Sequence, residues 1–326
     1  VSQPQGIDID NYNNIYIVDT DIDTGTSCIK KFNSEGTYLG KWGDDRLKYS
    51  TGISISPSGY VYVVDTGHYQ IIKFSSNGEY ITQWGSYGDK QGEFKSPRGV
   101  DIDSNGNIYI SDRINNAVQK FNSNMECLAI WSEYSSEEGK FKFPAGIDVD
   151  SEGNIYVIDT DNNRIQKFDS NGGFVLAWGK YGYGEGEFSS PCGIAIDKKD
   201  TIYIADTNNC RIQVFNSNGI YSTMWGGEYG SGTDKFKYPH GLDIDSNGNI
   251  YVCDKLNCCI KVFTGTGTFL RQWGNATSFK NPVDIAIDSN DCVYVVDNGG
   301  NCIKVFDING NLIRQWGKFG TFQEQF

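Results

Sequence analysis

Along the chain, apolar and polar residues alternate in short runs, and turn-forming residues interrupt them every few positions. Residues 99–131 show the rhythm. "GVDID" alternates, "SNG" turns, and "NIYIS" alternates again with β-branched and aromatic residues; "DRINN" turns, and "AVQKF" and "ECLAIW" follow on either side of "NSNM". A period of two predicts β-strands, and the Asn-, Asp-, Ser- and Gly-rich interruptions predict tight turns. No stretch carries the 3.6-residue period of a helix. No apolar run approaches the ~18 residues that would span a bilayer.

The four-strand pattern returns along the whole chain. All seven tryptophans (Trp42, Trp84, Trp131, Trp178, Trp225, Trp273, Trp316) share one register, 42 to 48 residues apart by subtraction. A tyrosine keeps the same step from Tyr16 to Tyr294, an aspartate three residues later from Asp19 to Asp297, and a phenylalanine from Phe32 to Phe306. A repeat of ~40–50 residues holding four strands predicts a β-propeller blade. The chain is therefore expected to be all-β: one seven-bladed β-propeller with four antiparallel strands per blade. The blades fall at about 1–43, 44–85, 86–132, 133–179, 180–226, 227–274 and 275–326. One blade cannot bury both faces, so blades stack around an axis and the ring protects the strand edges. Joined tail to head, Phe326 and Pro4-Gln5-Gly6 recreate the inter-blade spacing of Phe94 to Gly99, so each blade is expected to use contiguous sequence.

The stretch "DIDSNGNIY" occurs twice, at Asp101–Tyr109 and Asp243–Tyr251. Asp-x-Asp-x-Asn-Gly resembles the start of a calcium loop. Its recurrence speaks for a turn instead. Asp103 and its equivalents Asp10, Asp150, Asp197, Asp245 and Asp288 end the first strand, where a short carboxylate suits an Asx-turn. Gly106, Gly153 and Gly248 supply the positive φ, and a strand begins at once where a metal loop would continue.

The repeat resembles the NHL repeat. Blade 4 carries the motif almost intact, from Phe141 through Pro144, Gly146, Asp150, Gly153, Asn154, Asp159, Asn163 and Arg164 to Phe168. The resemblance covers the chain and implies a propeller that serves as an adaptor or sensor module. Blade 2 departs with Ser50-Thr51 in place of Pro-x, and blade 7 with Asp284 in place of the glycine. The arginine of Arg164 and Arg211 becomes Cys28, Cys259 or Cys302 elsewhere, so those blades need another brace for the strand-end aspartate. Some lyases of similar fold hold zinc with three histidines, a set that His68 and His240 cannot supply. No Ser-His-Asp arrangement is suggested either, because the two histidines lie on separate blades.

Composition narrows the partners. A net charge of −13 argues against nucleic acid and against an anionic membrane surface. Nine cysteines without a CxxC pair exclude a zinc ribbon. A Cys210–Cys258 disulfide is conceivable, with free thiols as the alternative. The acidic charge, the Asn275-Ala276-Thr277 sequon and the cysteines lean toward a secreted or cell-surface setting.

Two places stand out as candidate sites. "DTDIDTGTSC", Asp19 to Cys28, is four residues longer than its counterparts. Its Asp19, Asp21 and Asp23 alternate before Gly25 and could converge on a hard cation, so calcium is the one cofactor considered; the plainer reading is a solvated acidic loop. The residues between Pro and Gly line the mouth of the channel: Gln5, Thr51, Arg98, Ala145, Cys192, His240 and Val283, with Asp284 beside the last. Arg98, His240 and Asp284, flanked by Gln5 and Cys192, could hold a polar or anionic small molecule; the plainer reading is a water-filled mouth. The leading functional expectation is a non-catalytic scaffold that binds a protein or other macromolecule on its loop face. The rival is a metal-dependent hydrolase or lyase at the channel mouth.

Overall fold

The computed structural model describes residues 2–132 and 135–317. They form seven four-stranded antiparallel sheets, each built from four consecutive strands. Blade 1 uses Ser2–Ile9, Ile15–Asp21, Thr26–Phe32 and Tyr38–Lys48, so it is contiguous as expected. The Phe326 end of the anticipated junction lies outside the described residues. Neighbouring innermost strands touch around the ring, and the last, Pro282–Ile287, packs against the first, Ser2–Ile9. The ring closes.

Burial follows position along each blade. The second and third strands are covered on both faces by adjacent blades; in blade 4 every residue of Ile155–Asp159 and of Arg164–Phe168 is buried. The outer strand Phe174–Trp178 meets the solvent: Val175 is exposed and its other residues are half-buried. The core is accordingly a set of wedges between blades rather than one centre. The repeated tryptophan closes each wedge against the next blade's phenylalanine, with centroids 5.7 Å apart for Trp178–Phe215 and 5.5 Å for Trp225–Phe263. Trp316 of blade 7 stacks on Phe32 of blade 1 at 4.6 Å, and its Nε1–H donates to the Gly36 carbonyl at 3.1 Å.

The Asp-x-Asp-x-Asn-Gly stretch is a turn. Asp103 Oδ1 accepts the amides of Asn105 and Asn107 at 2.9 and 2.8 Å, while Oδ2 accepts the Asn107 side chain and the Tyr109 hydroxyl. Gly106 sits at φ 81° as the turn requires. The glycine of Pro-x-Gly has a different cause. A Cβ on Gly193 would lie 2.1 Å from the carbonyl oxygen of His240, and one on Gly52 2.4 Å from that of Arg98. At Gly6 and Gly241 the corresponding approaches are 2.7 and 2.8 Å, so these inner strands come too close to their neighbour's backbone for a side chain. Asp284 breaks this rule at the seam between blades 7 and 1.

One expectation is corrected. The longer stretch from Asp19 to Cys28 is not a loop: it prolongs the second and third strands, which pair through Thr20 and Ser27. The outer strand lengthens with them to Lys48, and the Tyr49 ring covers Gly25 in the turn, so close that a Cβ there would lie 2.4 Å from it. Thr20 and Ser27, whose hydroxyls lie 2.7 Å apart, hold the extended hairpin together.

Candidate functional site

The strand-end aspartates are buried, from 0 to 3% exposed. Each of six accepts a backbone amide of the preceding inter-blade loop, such as Lys142 to Asp159 at 2.6 Å and Lys237 to Asp254 at 2.7 Å. A buried carboxylate is costly without a counter-charge or several donors, and Asp112 is held by four backbone amides. In blades 4 and 5 the counter-charge is Arg164 or Arg211, whose Nε lies 2.7 Å from Asp159 or Asp206 and whose Nη atoms donate to loop carbonyls. Where cysteine replaces the arginine, the cation moves two residues along the same strand. Lys30, Lys261 and Lys304 reach Asp19, Asp254 and Asp297 at 3.0, 3.0 and 3.1 Å. Arg-Ile-Gln and Cys-Ile-Lys are thus two forms of one brace.

Of the metal candidate's three aspartates, Asp19 takes part in this brace. Asp19 is paired with Lys30, and Asp21 accepts the amides of Asp23 and Thr24 within its own turn. Among the described residues no three His, Cys, Asp or Glu side chains are grouped as metal ligands, Asp19, Asp21 and Asp23 included.

Of the residues expected at the channel mouth, Gln5, Arg98, Ala145, Cys192, His240 and Val283 lie on innermost strands, and Thr51 lies just before one. His240 donates from Nδ1 to the Val283 carbonyl of the next blade at 2.9 Å, and burial and the Lys255 charge lower its pKa. It is held neutral, with Nε2 as its remaining ring nitrogen. Asp284 lies beside Gly241, on the strand that accepts this bond. Cys192 pairs with the Thr207 hydroxyl at 2.8 Å, and Gln5 reaches only the Gln3 carbonyl at 3.4 Å. Arg98 is exposed, and among the described residues no hydrogen bond or ion pair joins it to His240 or Asp284.

Sequence reasoning missed a second set of channel groups. Asp8, Asp101, Asp148 and Asp243 occupy one register of the innermost strands, where the polar half of the alternation faces the channel instead of bulk water. Three of them stitch blade to blade. Asp8, Asp148 and Asp243 each accept the amide of the following residue and the amide of Ile55, Ile196 or Ile287 on the next blade, at 2.7 to 2.9 Å. The receiving blades carry Ser54, Ala195 and Ala286 in this register. Asp101 has no such vacancy, because its neighbour carries Asp148. Burial and the Asp148 carboxylate hold Asp101 well above the usual carboxylate range. Burial, opposed by those amide bonds, raises Asp8 to about 6 and Asp148 and Asp243 to about 7. The signal available in the sequence was the repeat of aspartate at this one register.

The face bearing the inter-blade loops has a different character. Tyr87, Tyr181 and Tyr229 hold equivalent positions, each bridged to the phenylalanine that ends its loop. They are 66, 63 and 63% exposed, and Tyr183 beside them is 71% exposed. Ile114 and Leu256 are exposed in second-to-third-strand loops, which open on the same face. All nine cysteines are free thiols, Cys210 and Cys258 included.

The family described as NHL repeat matches residues 94–121, 141–168, 188–215, 236–263 and 279–306. The chain is an NHL-repeat protein. Its matched repeats are blades 3 to 7, from the phenylalanine before Pro-x to the phenylalanine of the third strand. Among solved structures, virginiamycin B lyase from Staphylococcus aureus is similar at 15% identity and TM-score 0.71, covering 91% of this chain and 92% of that one. A streptogramin B lyase is similar at 17% identity and TM-score 0.72, with 91% of both chains covered. Kuenenia stuttgartiensis hydrazine synthase is similar at 10% identity and TM-score 0.73, covering 95% of this chain and 96% of that one. At these identities the likeness is one of fold, and activity does not follow from it. No curated protein matches the NHL-repeat chain in sequence.

Proposed function

We propose that this NHL-repeat propeller is a non-catalytic binding module whose loop face docks a protein partner. The observation that carries this reading is the set of solvent-facing tyrosines Tyr87, Tyr181, Tyr183 and Tyr229. Three of them hold the same position in their inter-blade loops, each fixed by a bridge at its base. Tyrosine supplies a large contact area at a small loss of rotamer freedom, and it is enriched where binding energy concentrates. Folding alone gives no reason to display the same aromatic ring to water in three loops. Nearby Ile114 and Leu256 extend the apolar area. The histidines suit this reading too, since His68 is tied to Asp65 at 2.8 Å and His240 to a backbone carbonyl.

The test is affinity capture from the native source by the wild type and two variants. One carries Tyr87, Tyr181, Tyr183 and Tyr229 changed to serine; the other carries Lys198→Ser and Lys199→Ser on the opposite face. A partner lost only with the tyrosine variant, while its melting temperature is unchanged, supports the proposal. A partner retained by it refutes the assignment of the face.

A further inference from the structure

The first-to-second-strand and third-to-fourth-strand turns form the other face of the disc, and there one blade lacks a part that the rest possess. In blades 1 to 4 the residue before the repeated phenylalanine is a lysine, Lys31, Lys73, Lys120 or Lys167, lying 4.9 to 5.3 Å over the ring of the repeated tyrosine. Lys31 and Lys167 also donate to the Ser76 and Ser217 carbonyls of the next blade's turn. In blades 6 and 7 that residue is Val262 or Val305, and a cation comes from the outer strand instead. Arg271, paired with Val262, donates to the Tyr251 hydroxyl at 3.0 Å. Arg314, paired with Val305, lies against Gly36 of the next turn, and its charge acts on Tyr294.

Blade 5 has neither. Its two positions are Val214 and Thr223, which pair across the strands, and no cation acts on Tyr203 among the described residues. The acid beneath that tyrosine is also short of donors. Asp10, Asp103, Asp150 and Asp245 each accept a side-chain amide from the asparagine four residues on, at 2.7 to 2.8 Å. In blade 5 that position is Thr201, and among the described residues Asp197 Oδ2 accepts only the Tyr203 hydroxyl, at 3.4 Å. Here the surface opens into a groove of about 780 Å³ between blades 5 and 6, lined by Asp197, Tyr203, Val214, Thr223, Asp243 and Gly265 among others. Lys198 and Lys199 stand exposed at its rim and form no ion pair among the described residues.

We propose that this groove binds an ammonium or guanidinium group carried on an unbranched alkyl chain, which takes the place that a lysine or arginine of the chain itself fills in the other blades. The tyrosine face and the Asp197 oxygen, which accepts the Tyr203 hydroxyl at 3.4 Å, correspond to the ring and carboxylate that Lys167 meets at Tyr156 and Asp150, and the groove leaves room for the alkyl stem. The chemistry is that of a free diamine or guanidino-amine, or of an arginine or lysine side chain on another protein.

Calorimetric titration with agmatine and with an N-acetylated, C-amidated Gly-Arg-Gly peptide separates the two sources. Binding of agmatine at least as tight as that of the peptide points to a free amine, and binding of the peptide alone points to a partner's side chain. In either case Val214→Lys, which copies blades 1 to 4, and Thr223→Arg, which copies blade 6, are expected to weaken binding by about tenfold or more by filling the groove from within. Asp197→Asn should weaken it similarly without filling anything. Thr223→Arg and Asp197→Asn keep the test decisive if Val214→Lys fails to fold. The proposal is overturned if neither ligand binds the wild type, or if both groove-filling variants bind as the wild type does. A rise in melting temperature of the filled variants with no ligand bound by the wild type would also overturn it, marking the groove as a packing defect.

Discussion

At the residue scale, the chain solves one electrostatic problem twice. A strand-end aspartate is buried where it fastens the incoming loop, and in five blades a single cation of the third strand faces it, while among the described residues Asp112 is held by backbone amides alone. Arg164 and Arg211 do so from the residue paired with the aspartate; Lys30, Lys261 and Lys304 do so from two residues further on. Cys259 is directly paired with Asp254, as Arg164 is with Asp159, so the two forms should be exchangeable. Lys261→Met strands Asp254 without its charge partner at zero exposure, and is expected to cost about 3–5 kcal/mol in urea unfolding. Adding the other form as Cys259→Arg with Lys261→Gln should return stability to within about 1 kcal/mol of the wild type, because the pair is replaced as a unit. A double variant no better than Lys261→Met would refute the exchange.

At the element scale, the innermost strand is where sequence and packing constrain each other most. Gly193→Ala places a methyl group against the His240 backbone carbonyl, which cannot rotate away. A loss of about 1–3 kcal/mol or more is expected from such overpacking. Gly40→Ala, in an outer strand with nothing within 4 Å, should stay within about 0.5 kcal/mol of the wild type, and thermal melts of the two variants compare them directly. Most of this architecture was legible in the sequence. Repeating Trp, Tyr and Phe fixed the blades, and the Asx-turn was readable from a strand starting directly after Gly106. The hairpin from Thr20 to Ser27 was not, because three aspartates at alternate positions look the same in a strand as in an ion loop; the cover given by Tyr49 decides it and is distant in sequence. The channel aspartates escaped because alternation reports that a side chain leaves the core and not where it arrives. The groove at blade 5 depends on two absences, Val214 for lysine and Thr223 for arginine, whose meaning appears only once third and outer strands are paired.

For the whole molecule, closing the ring gathers like charges at its axis. Asp8, Asp148 and Asp243 repay their confinement by tying adjacent blades together through amides, and Asp284 joins them at the seam, also raised to about 7 by burial and the nearby Asp243 and Asp8 carboxylates. Asp101 faces Asp148 with no amide of the next blade left to take. The consequence for stability has a definite sign. A carboxylate whose pKa is higher folded than unfolded keeps its proton in the native state after the unfolded chain has released it. Stability is therefore fully present below the unfolded value of about 4 and is lost as pH rises through the folded values of about 6 to 7. The NHL propeller should melt higher at about pH 5.5 than at about pH 8, opposite to a protein stabilised by ionised surface carboxylates. Asp101→Asn removes the acid that faces another carboxylate without an inter-blade stitch, so it should raise the melting temperature at about pH 8 and flatten the dependence between the two conditions. A melting temperature that climbs with pH, or an Asp101→Asn variant less stable than the wild type at the higher pH, would show that the ring is ionised and counterbalanced in the native state.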